Sequence, residues 1–276
     1  MIRSWAQRMT TEQLIQIVIP MAGRGMRFLQ TGYKVPKPLL PIHGQPMFSV
    51  VMANLLTDDI GRVVVIAQKQ FGLRPIFEKL QRRVPQSLEL IEIDYVTGGP
   101  ADTVELAIRS LEADLPVVTA NSDQFVNHSL SSFYNQVRRS NNAGFILTMK
   151  DDDPKWSYAL TDLFGRVKVV REKEVISRDA TVGIYGFRSA ALMWEAFDAM
   201  RAAKESVNGE YYVGPAYNQL IKRGRPVVAF DIGEIKTVMH GMGTPEDYEA
   251  FLCSPVSVHA AEQSCRLFGT ISYSIK

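Results

Sequence analysis

Two glycines, an arginine and a lysine lie within one connection that follows the first apolar run of the chain, in "IQIVIPMAGRGMRF" and "YKVPKPLLPIHGQPM". Gly23 and Gly25 carry no side chain beyond hydrogen, so the backbone N–H groups beside them can approach a phosphate chain closely. Arg27 supplies a forked donor, and Lys37 stands between two prolines that fix the direction of its backbone. These residue types at this spacing predict a site that binds a polyphosphate.

The two common glycine-rich phosphate motifs do not fit this connection. The third glycine of G-x-G-x-x-G would fall at Phe28, and the next apolar run ends in "IAQK" without the acid that binds ribose. No G-K-[ST] of a P-loop occurs in the sequence. The connection is also longer than either motif, and long loops are uncommon in compact domains unless they are functional or disordered. An ordinary surface loop with incidental basic residues is the alternative interpretation.

The elements that must position this loop follow an alternating pattern. Short runs rich in Val and Ile alternate with longer segments of helical periodicity, which predicts a Rossmann-like α/β fold. We expect three α/β/α layers around a mainly parallel sheet, with ligands beyond the carboxyl ends of the strands. The strand candidates are "LIQIVIP", "RVVVIAQ", "SLELIEIDYV", "DLPVVTA" and "AGFILTM", followed by "WSYAL", "GRVKVV" and "ATVGIYGF".

The length of 276 residues fits one large α/β core, and we predict a single domain over residues 14–253. Its nucleotide half covers about 14–150 and its acceptor half about 151–253. The ends are predicted to be tails, residues 1–13 and 254–276, because neither shows a clear period.

Net charge, cysteine spacing and the length of apolar runs limit the partners and the compartment that we expect. The net charge is only +2, so general binding to nucleic acid or to a membrane surface is not expected. Cys253 and Cys265 show no ligand-like spacing, which argues against a disulfide framework or a zinc site. No apolar run approaches the ~20 residues that span a bilayer. We therefore expect a cytoplasmic protein.

The connection as a whole, "PMAGRGMRF" with "VPKPLLPIHGQPM", resembles the signature of the nucleotidyltransferases that activate sugar phosphates and related phosphate monoesters. The resemblance covers roughly residues 15–251 and weakens after the first half. It implies the fold of nucleotide-diphospho-sugar transferases, Mg²⁺ as cofactor, and a nucleoside triphosphate and a phosphate monoester as partners; it leaves a homo-oligomer open. The nucleotide-binding residues that it implies are Met21, Ala22, Gly23, Arg24, Gly25, Met26, Arg27, Lys37, Gly98, Gly99, Ala101 and Thr103.

The resemblance implies three catalytic residues, Arg27, Lys37 and Asp123. In "VVTANSDQFV" Asp123 matches the strand-end acid that binds the divalent metal, and a carboxylate beyond a buried strand fits the ligand crevice independently. The other interpretation of Asp123 is a turn or a helix N-cap.

Acceptor contacts are implied by the second half. "VVREKEV" resembles the strand that carries Glu172 and Lys173, and "GIYGF" adds Gly183 and Tyr185. "GEYYVGPAYNQLIKRG", which contains Glu210, resembles a subgroup from capsule biosynthesis loci that includes heptose-phosphate guanylyltransferases and phosphoglutamine cytidylyltransferases. CTP and GTP are therefore the favoured donors.

One departure from the family pattern concerns the metal. Where D-x-G-T-P places a second metal-binding aspartate, "HGMGTPEDYEAF" has Gly241. Thr244 and Asp247 keep the pattern of a helix N-terminus. We expect Asp123 to hold Mg²⁺ together with triphosphate oxygens, with Asp231 as the fallback ligand.

Two rival functions remain open at this stage. "KDDDPKW" could form the metal site of a glycosyltransferase that uses a nucleotide sugar, although an Asp before proline favours a turn. The second rival is a nucleotide-sensing protein that binds a triphosphate without turnover.

Overall fold

The computed structural model describes residues 14–271. A sheet of nine strands forms its centre. These strands are β1 (Ile15–Met21), β4 (Ile60–Gln68), β5 (Ser87–Ile93), β6 (Val117–Ala120), β8 (Gly144–Lys150), β9 (Ser157–Thr161), β10 (Val167–Glu172), β11 (Asp179–Phe187) and β12 (Val227–Glu234). Two small sheets pair β2 (Pro41–Ile42) with β3 (Gln45–Pro46) and β7 (Gln124–Val126) with β13 (Met239–Gly241).

Helices connect the strands and cover the sheet. They are α1 (Met26–Gln30), α2 (Met47–Leu55), α3 (Arg74–Gln81), α4 (Pro100–Glu105), α5 (Ser131–Arg139), α6 (Ala190–Ala202), α7 (Val213–Lys222), α8 (Ile235–Val238), α9 (Pro245–Leu252) and α10 (Pro255–Phe268).

The strand directions confirm the mainly parallel sheet. β1 pairs in parallel with β4 and β6, β4 with β5, and β12 with β8. β11 runs antiparallel to β6, β8 and β9, and β10 antiparallel to β9. Over residues 14–271, seven of the nine strands therefore point the same way, and β10 and β11 point the other way. Every strand predicted from an apolar run is present.

Two apolar cores lie against the sheet. One packs Phe48 and Val51 of α2 and Phe133 of α5, and the other packs Phe197 of α6 and Tyr217 of α7. Because both cores draw on alternate side chains of β1, with Ile17 in one and Val18 in the other, the sheet is covered on both faces. The three-layer α/β/α architecture is thus confirmed.

The prediction of a tail from residue 254 onward was wrong for most of that segment. Residues 255–268 form α10, whose Ser264 hydroxyl lies 3.0 Å from the Ser49 hydroxyl on α2. The buried positions of α10 keep a helical spacing but include small Ser and Ala side chains, at residues 257, 260, 261, 264 and 268. A stripe of small residues carries little hydropathy, so the sequence shows no apolar period over this helix. Residues 1–13 lie outside the described part, and the other domain bounds stay predictions.

Among residues 14–271, no helix combines the length and the apolar character needed to cross a membrane.

Candidate active site

Two adjoining cavities open beyond the carboxyl ends of β1 and β6. The loop cavity, of about 480 Å³, is lined by the connection after β1 and by the turn before α4. The strand cavity, of about 210 Å³, is lined by β9, β10, β11 and the start of α7. The residues that line both cavities are Arg27, Pro100, Asn121, Asp123, Tyr212 and Gly243.

The glycine loop forms one wall of the loop cavity. Gly25 has a φ of 62° and stands at the N-cap of α1, a left-handed conformation that favours glycine. A Cβ on Gly23 would meet no atom within 4 Å, so the backbone there faces open space. The predicted residues of this loop that line the cavity are Met21, Ala22, Gly23, Gly25, Met26 and Arg27.

Lys37 reaches Asp123 on the wall that the two cavities share, which we call the seam. Its backbone enters a short 3₁₀ turn, Lys37–Leu39, from the extended Pro36, as the flanking prolines predict. Its Nζ lies 2.5 Å from Oδ2 of Asp123 and 5.7 Å from the centroid of the buried Phe28 ring. Lys37 and Asp123, which are 86 residues apart in sequence, are thus brought together.

Asp123 follows β6 and is tied to the G-T-P segment. Its backbone oxygen accepts a hydrogen bond of 2.7 Å from the N–H of Met242. A Cβ on Gly243 would lie 3.2 Å from Asp123 Oδ2, so the carboxylate packs closely against that glycine. Thr244 caps α9 by accepting from the N–H of Asp247 at 3.1 Å, as the sequence predicts.

The turn before α4 places only part of the predicted base-binding set on the cavity wall. Gly99 and Thr103 line the loop cavity. Gly98 accepts a hydrogen bond from the N–H of Tyr211, and Ala101 donates one to the Tyr211 carbonyl, each at 3.0 Å. Gly98 and Ala101 therefore dock the segment before α7 and do not line the cavity.

Gly99 is required where it stands. Its φ is 134°, and a Cβ would lie 2.6 Å from the Tyr211 carbonyl oxygen. Arg24 does not line the loop cavity; it lines a neighbouring outer pocket of about 620 Å³ with Gln68 and Tyr95, and this pocket shares Met26 and Val96 with the loop cavity.

Three of the five predicted acceptor residues line the strand cavity: Glu172, Gly183 and Tyr185. The Ser157 hydroxyl donates a hydrogen bond to Glu172, but burial still raises the pKa of the Glu172 carboxyl. Burial and the charge of Glu172 also raise the pKa of Tyr185 to about 12, which keeps its phenol protonated.

Gly183 marks a bend in β11. Its φ is 80°, and the pairing register of β11 with β8 shifts between Thr181 and Tyr185. A Cβ there would lie 2.3 Å from Nδ2 of Asn121, so the backbone of β11 can approach the Asn121 loop only without a side chain.

Lys173 and Glu210 lie elsewhere than the prediction placed them. Lys173 is exposed and lines neither cavity; its Nζ donates to the Tyr212 hydroxyl at 3.1 Å and lies 5.0 Å from that ring's centroid. Glu210 lines the loop cavity and accepts from the Tyr212 hydroxyl. Both residues therefore meet the strand cavity only through Tyr212, which lines both cavities.

Sequence comparison decides the family. The profile described as "Nucleotidyl transferase" matches residues 16–242. The chain belongs to this family. It is 27% identical over 228 residues to the bifunctional protein GlmU of Pelotomaculum thermopropionicum, covering 78% of this chain and 46% of that protein. The chain thus spans about half the length of the curated relatives that it matches.

Solved structures of nucleotidyl transferases share the fold. The nucleoside-diphosphate-sugar pyrophosphorylase of Vibrio cholerae RC9 aligns at a TM-score of 0.73 and 26% identity, covering 86% of this chain and 100% of its own. The inositol-1-phosphate CTP transferase of T. maritima aligns at 0.69 and 16% identity, covering 91% and 99%. The second of these likenesses concerns the fold alone.

Sequence reasoning missed the far wall of the strand cavity, which contains Lys155, Trp156 and Asp247. The indole N–H of Trp156 donates to Asp151 at 2.6 Å, and Nζ of Lys155 lies 4.8 Å from the Trp156 ring. Lys155 is also paired with Asp247 at 3.0 Å.

Trp156 packs closely against Gly241, which stands where the family pattern has an aspartate. A Cβ on Gly241 would lie 3.2 Å from the indole, so a larger side chain at that position would require the ring to shift by a few tenths of an ångström.

Asp231 does not serve as the fallback ligand. It lies on β12, pairs with Lys150 at 3.2 Å and lines neither cavity. The acids of "KDDDPKW" are likewise used locally, because Asp151 accepts from Trp156 and Asp153 from the N–H of Lys155. Within residues 14–271, no cluster of three or more His, Cys, Asp or Glu residues could hold a metal ion.

Proposed function

We propose that the protein transfers a nucleoside monophosphate from a triphosphate to a phosphate-monoester acceptor, with release of pyrophosphate. The observation that supports this most directly is the meeting of the two cavities at Arg27 and Asp123. One substrate in each cavity would place two phosphate groups against this shared wall.

The chemistry requires positioning and charge more than proton transfer. An oxygen of the acceptor phosphate forms a bond to the α-phosphorus, and the bond from that phosphorus to the α–β bridging oxygen breaks. The electron pair of that bond leaves with pyrophosphate. Since the attacking oxygen is already anionic, no general base is needed, and the barrier lies in joining two polyanions.

On the nucleotide side, the loop amides at residues 23–26 and Arg27 hold the β- and γ-phosphates in this proposal. Lys37 holds the α-phosphate, since its ammonium already lies on the seam and only 18% of its side chain is exposed. A triphosphate would replace the Asp123 carboxylate as the partner of Lys37. Low exposure strengthens this electrostatic contact relative to one in bulk water.

A magnesium ion fits Asp123 only together with the substrate. Mg²⁺ commonly binds one or two carboxylates plus substrate phosphates, and Asp123 supplies one carboxylate at the seam. The metal would neutralise charge that develops on the phosphate oxygens. In the free protein Asp123 is ion-paired with Lys37, so we expect Mg²⁺ to bind weakly before the nucleotide arrives.

On the acceptor side, Glu172, Tyr185 and Trp156 line the space for the part of the acceptor beyond its phosphate. Lys173 lines neither cavity but hydrogen-bonds the Tyr212 hydroxyl at the shared wall, so in this proposal it would contact the acceptor phosphate only by leaving Tyr212. The capsule-type segment "GEYYVGPAYNQLIKRG" favours CTP or GTP and supports a role in surface polysaccharide biosynthesis. A sugar phosphate or a phosphoglutamine-like compound is the proposed acceptor, and the pyrophosphorylase neighbour named for nucleoside-diphosphate sugars supports the former.

A matrix of four nucleoside triphosphates against sugar phosphates, phosphocholine and phosphoglutamine tests the proposal through pyrophosphate release. We expect release with CTP or GTP and only when an acceptor is present. If nucleotide sugars are supplied in place of the triphosphates, release of a nucleoside diphosphate would instead support a glycosyltransferase. Triphosphate binding without turnover for any acceptor in the matrix would support a sensor.

A further inference from the structure

Gln68, the last residue of β4, joins two loops that line the loop cavity. Its side chain is 5% exposed, and its Nε2 donates hydrogen bonds to the carbonyl of Ala22 at 2.8 Å and to the carbonyl of Tyr95 at 2.7 Å. A side-chain amide nitrogen has two hydrogens, so one hydrogen is directed to each loop.

The position of β4 makes this bridge possible. β4 lies between β1 and β5 in the sheet, and Gln68 pairs with Ile93 at the end of β5. The carbonyl of Ala22 belongs to the glycine loop after β1, and that of Tyr95 to the turn after β5. One amide at the end of the middle strand therefore fixes the distance between the two flanking loops.

The loops need such a constraint. Glycine loses more conformational freedom on ordering than other residues, and the loop contains Gly23, beside which no atom lies within 4 Å of a built Cβ. The outer pocket exposes the apolar side chains of Met26 and Tyr95 to about half, so packing holds these loops only partly. The two hydrogen bonds of Gln68, one buried and one partly buried, add a restraint on both loops.

We propose that Gln68 is a positioning residue which sets the separation between the phosphate-side loop and the base-side turn before the triphosphate binds. It lines the outer pocket and neither reaction cavity, so it acts through the two backbone carbonyls and not by touching substrate. The inference rests on the proposed function in assigning the loop cavity to a nucleoside triphosphate.

Glutamine is suited to this task because it is neutral and donates twice. An ionised glutamate would present only acceptors to two carbonyl oxygens. A methionine has nearly the same size but leaves both carbonyls without their donor, which isolates the hydrogen bonds from the packing.

Gln16 offers a matched control. It is 3% exposed, lies on the neighbouring β1, and also bridges backbone groups, donating to the Glu112 carbonyl at 2.9 Å and accepting from the Glu112 N–H at 2.8 Å. Its contacts are at the opposite end of the sheet, away from both cavities. Gln68→Met and Gln16→Met should therefore lower the melting temperature to a similar extent.

The test measures by calorimetry how tightly the protein binds CTP or GTP, whichever it prefers, in the presence of Mg²⁺. The KM values for the triphosphate and for the acceptor are then determined. We expect Gln68→Met to weaken triphosphate binding about tenfold and to raise the KM for triphosphate, since both loops lose the hydrogen bond that holds them. The KM for the acceptor should stay within about twofold, and Gln16→Met should leave both values unchanged. If Gln68→Met does not fold, Gln68→Asn, whose amide is one methylene too short to reach both carbonyls, is compared with Gln16→Asn.

Two results would overturn the inference. Equal triphosphate affinity in the Gln68 and Gln16 variants would show that the bridge is structural only, and the proposed function would stand. No triphosphate binding by the unaltered protein would overturn the inference and the proposed function together.

Discussion

The loop cavity and the strand cavity are built in different ways. Residues up to Asp123 supply most of the loop cavity, from connections at the ends of neighbouring parallel strands. The strand cavity takes its wall from an antiparallel set, β9 to β11, and closes it with Lys155 and Asp247, which are 92 residues apart. Under the proposed function, the phosphate side therefore lies at strand ends, whereas the acceptor side is assembled from segments far apart in the sequence.

The two cavities also differ in charge. Both cavities share Arg27 and Asp123, and the loop cavity adds Lys37 and Glu210, so two cations face the space proposed for a polyphosphate. Among residues 14–271, the strand cavity adds Glu172, Asp247 and one further cation, Lys155, which is paired with Asp247. Changes on the loop side should therefore affect chemistry, whereas changes on the strand side should affect the choice of acceptor.

The largest effect is expected for Asp123→Asn, which should abolish turnover. The change keeps the shape of the side chain but removes the carboxylate that would hold Mg²⁺ at the seam. Turnover is measured as pyrophosphate release across a Mg²⁺ titration, with Asp231→Asn as the control that keeps activity because it lies outside both cavities. Full activity in Asp123→Asn would show that Asp123 does not hold the metal.

Lys37→Ala should lower turnover by about a hundredfold or more while the fold stays intact. Removing one preorganised donor to a developing oxyanion costs ~2.7–4 kcal/mol, and we expect a similar loss for Lys37. Lys37→Arg should not restore turnover, because a planar guanidinium differs in shape from an ammonium. Lys34→Ala, an exposed lysine of the same connection, is the control. Near-normal turnover in a folded Lys37→Ala protein would show that the seam is not the reaction centre.

Trp156→Ala tests whether the strand cavity binds the acceptor and not the triphosphate. We expect the KM for the acceptor to rise about threefold to tenfold, since aromatic contacts contribute ~0.5–1.5 kcal/mol, while the KM for triphosphate stays constant. Trp194→Ala on α6, a half-buried tryptophan outside both cavities, controls for lost packing. A larger change for triphosphate than for acceptor would contradict the division between the cavities.

The smallest effect concerns the pH dependence of stability. Burial raises the pKa of Glu172 in the folded protein, so the folded state binds more protons than the unfolded state between the two pKa values. Stability is therefore lost as pH rises through the folded-state pKa. Glu172→Gln should raise the melting temperature by a few degrees at neutral pH, with a gain that shrinks in acid. The exposed Glu174→Gln should show no gain, and a gain for Glu172→Gln that does not depend on pH would contradict the explanation.

Local sequence features pointed to Lys37, which two prolines flank, and to Asp123, which follows a buried strand, and both line the loop cavity. Their catalytic roles are implied by the family resemblance and stay predictions. Trp156 and Asp247 carry no local signal, since only the tertiary fold brings them beside Gly241 and Lys155. Sequence spacing does not encode contacts of this kind.

Contacts that involve backbone groups could not be predicted from the sequence either. Gly98 and Ala101 match the family turn, yet their hydrogen bonds go to Tyr211, which follows more than 100 residues later. Gln68 is an unremarkable polar residue in the sequence until the carbonyls of two loops meet its amide. Helix α10 was missed for a different reason, because its buried stripe contains serine and alanine.

The most direct test of the central claim follows the α-phosphorus of the triphosphate. The protein is incubated with CTP or GTP labelled at that phosphorus. The acceptor is the compound that gives most pyrophosphate release in the substrate matrix. We predict that all transferred label appears in a product that joins the nucleoside and the acceptor through a diphosphate, in equal amount to unlabelled pyrophosphate. Label recovered as free nucleoside monophosphate, or transfer to the acceptor only when the γ-phosphorus is labelled, would contradict it.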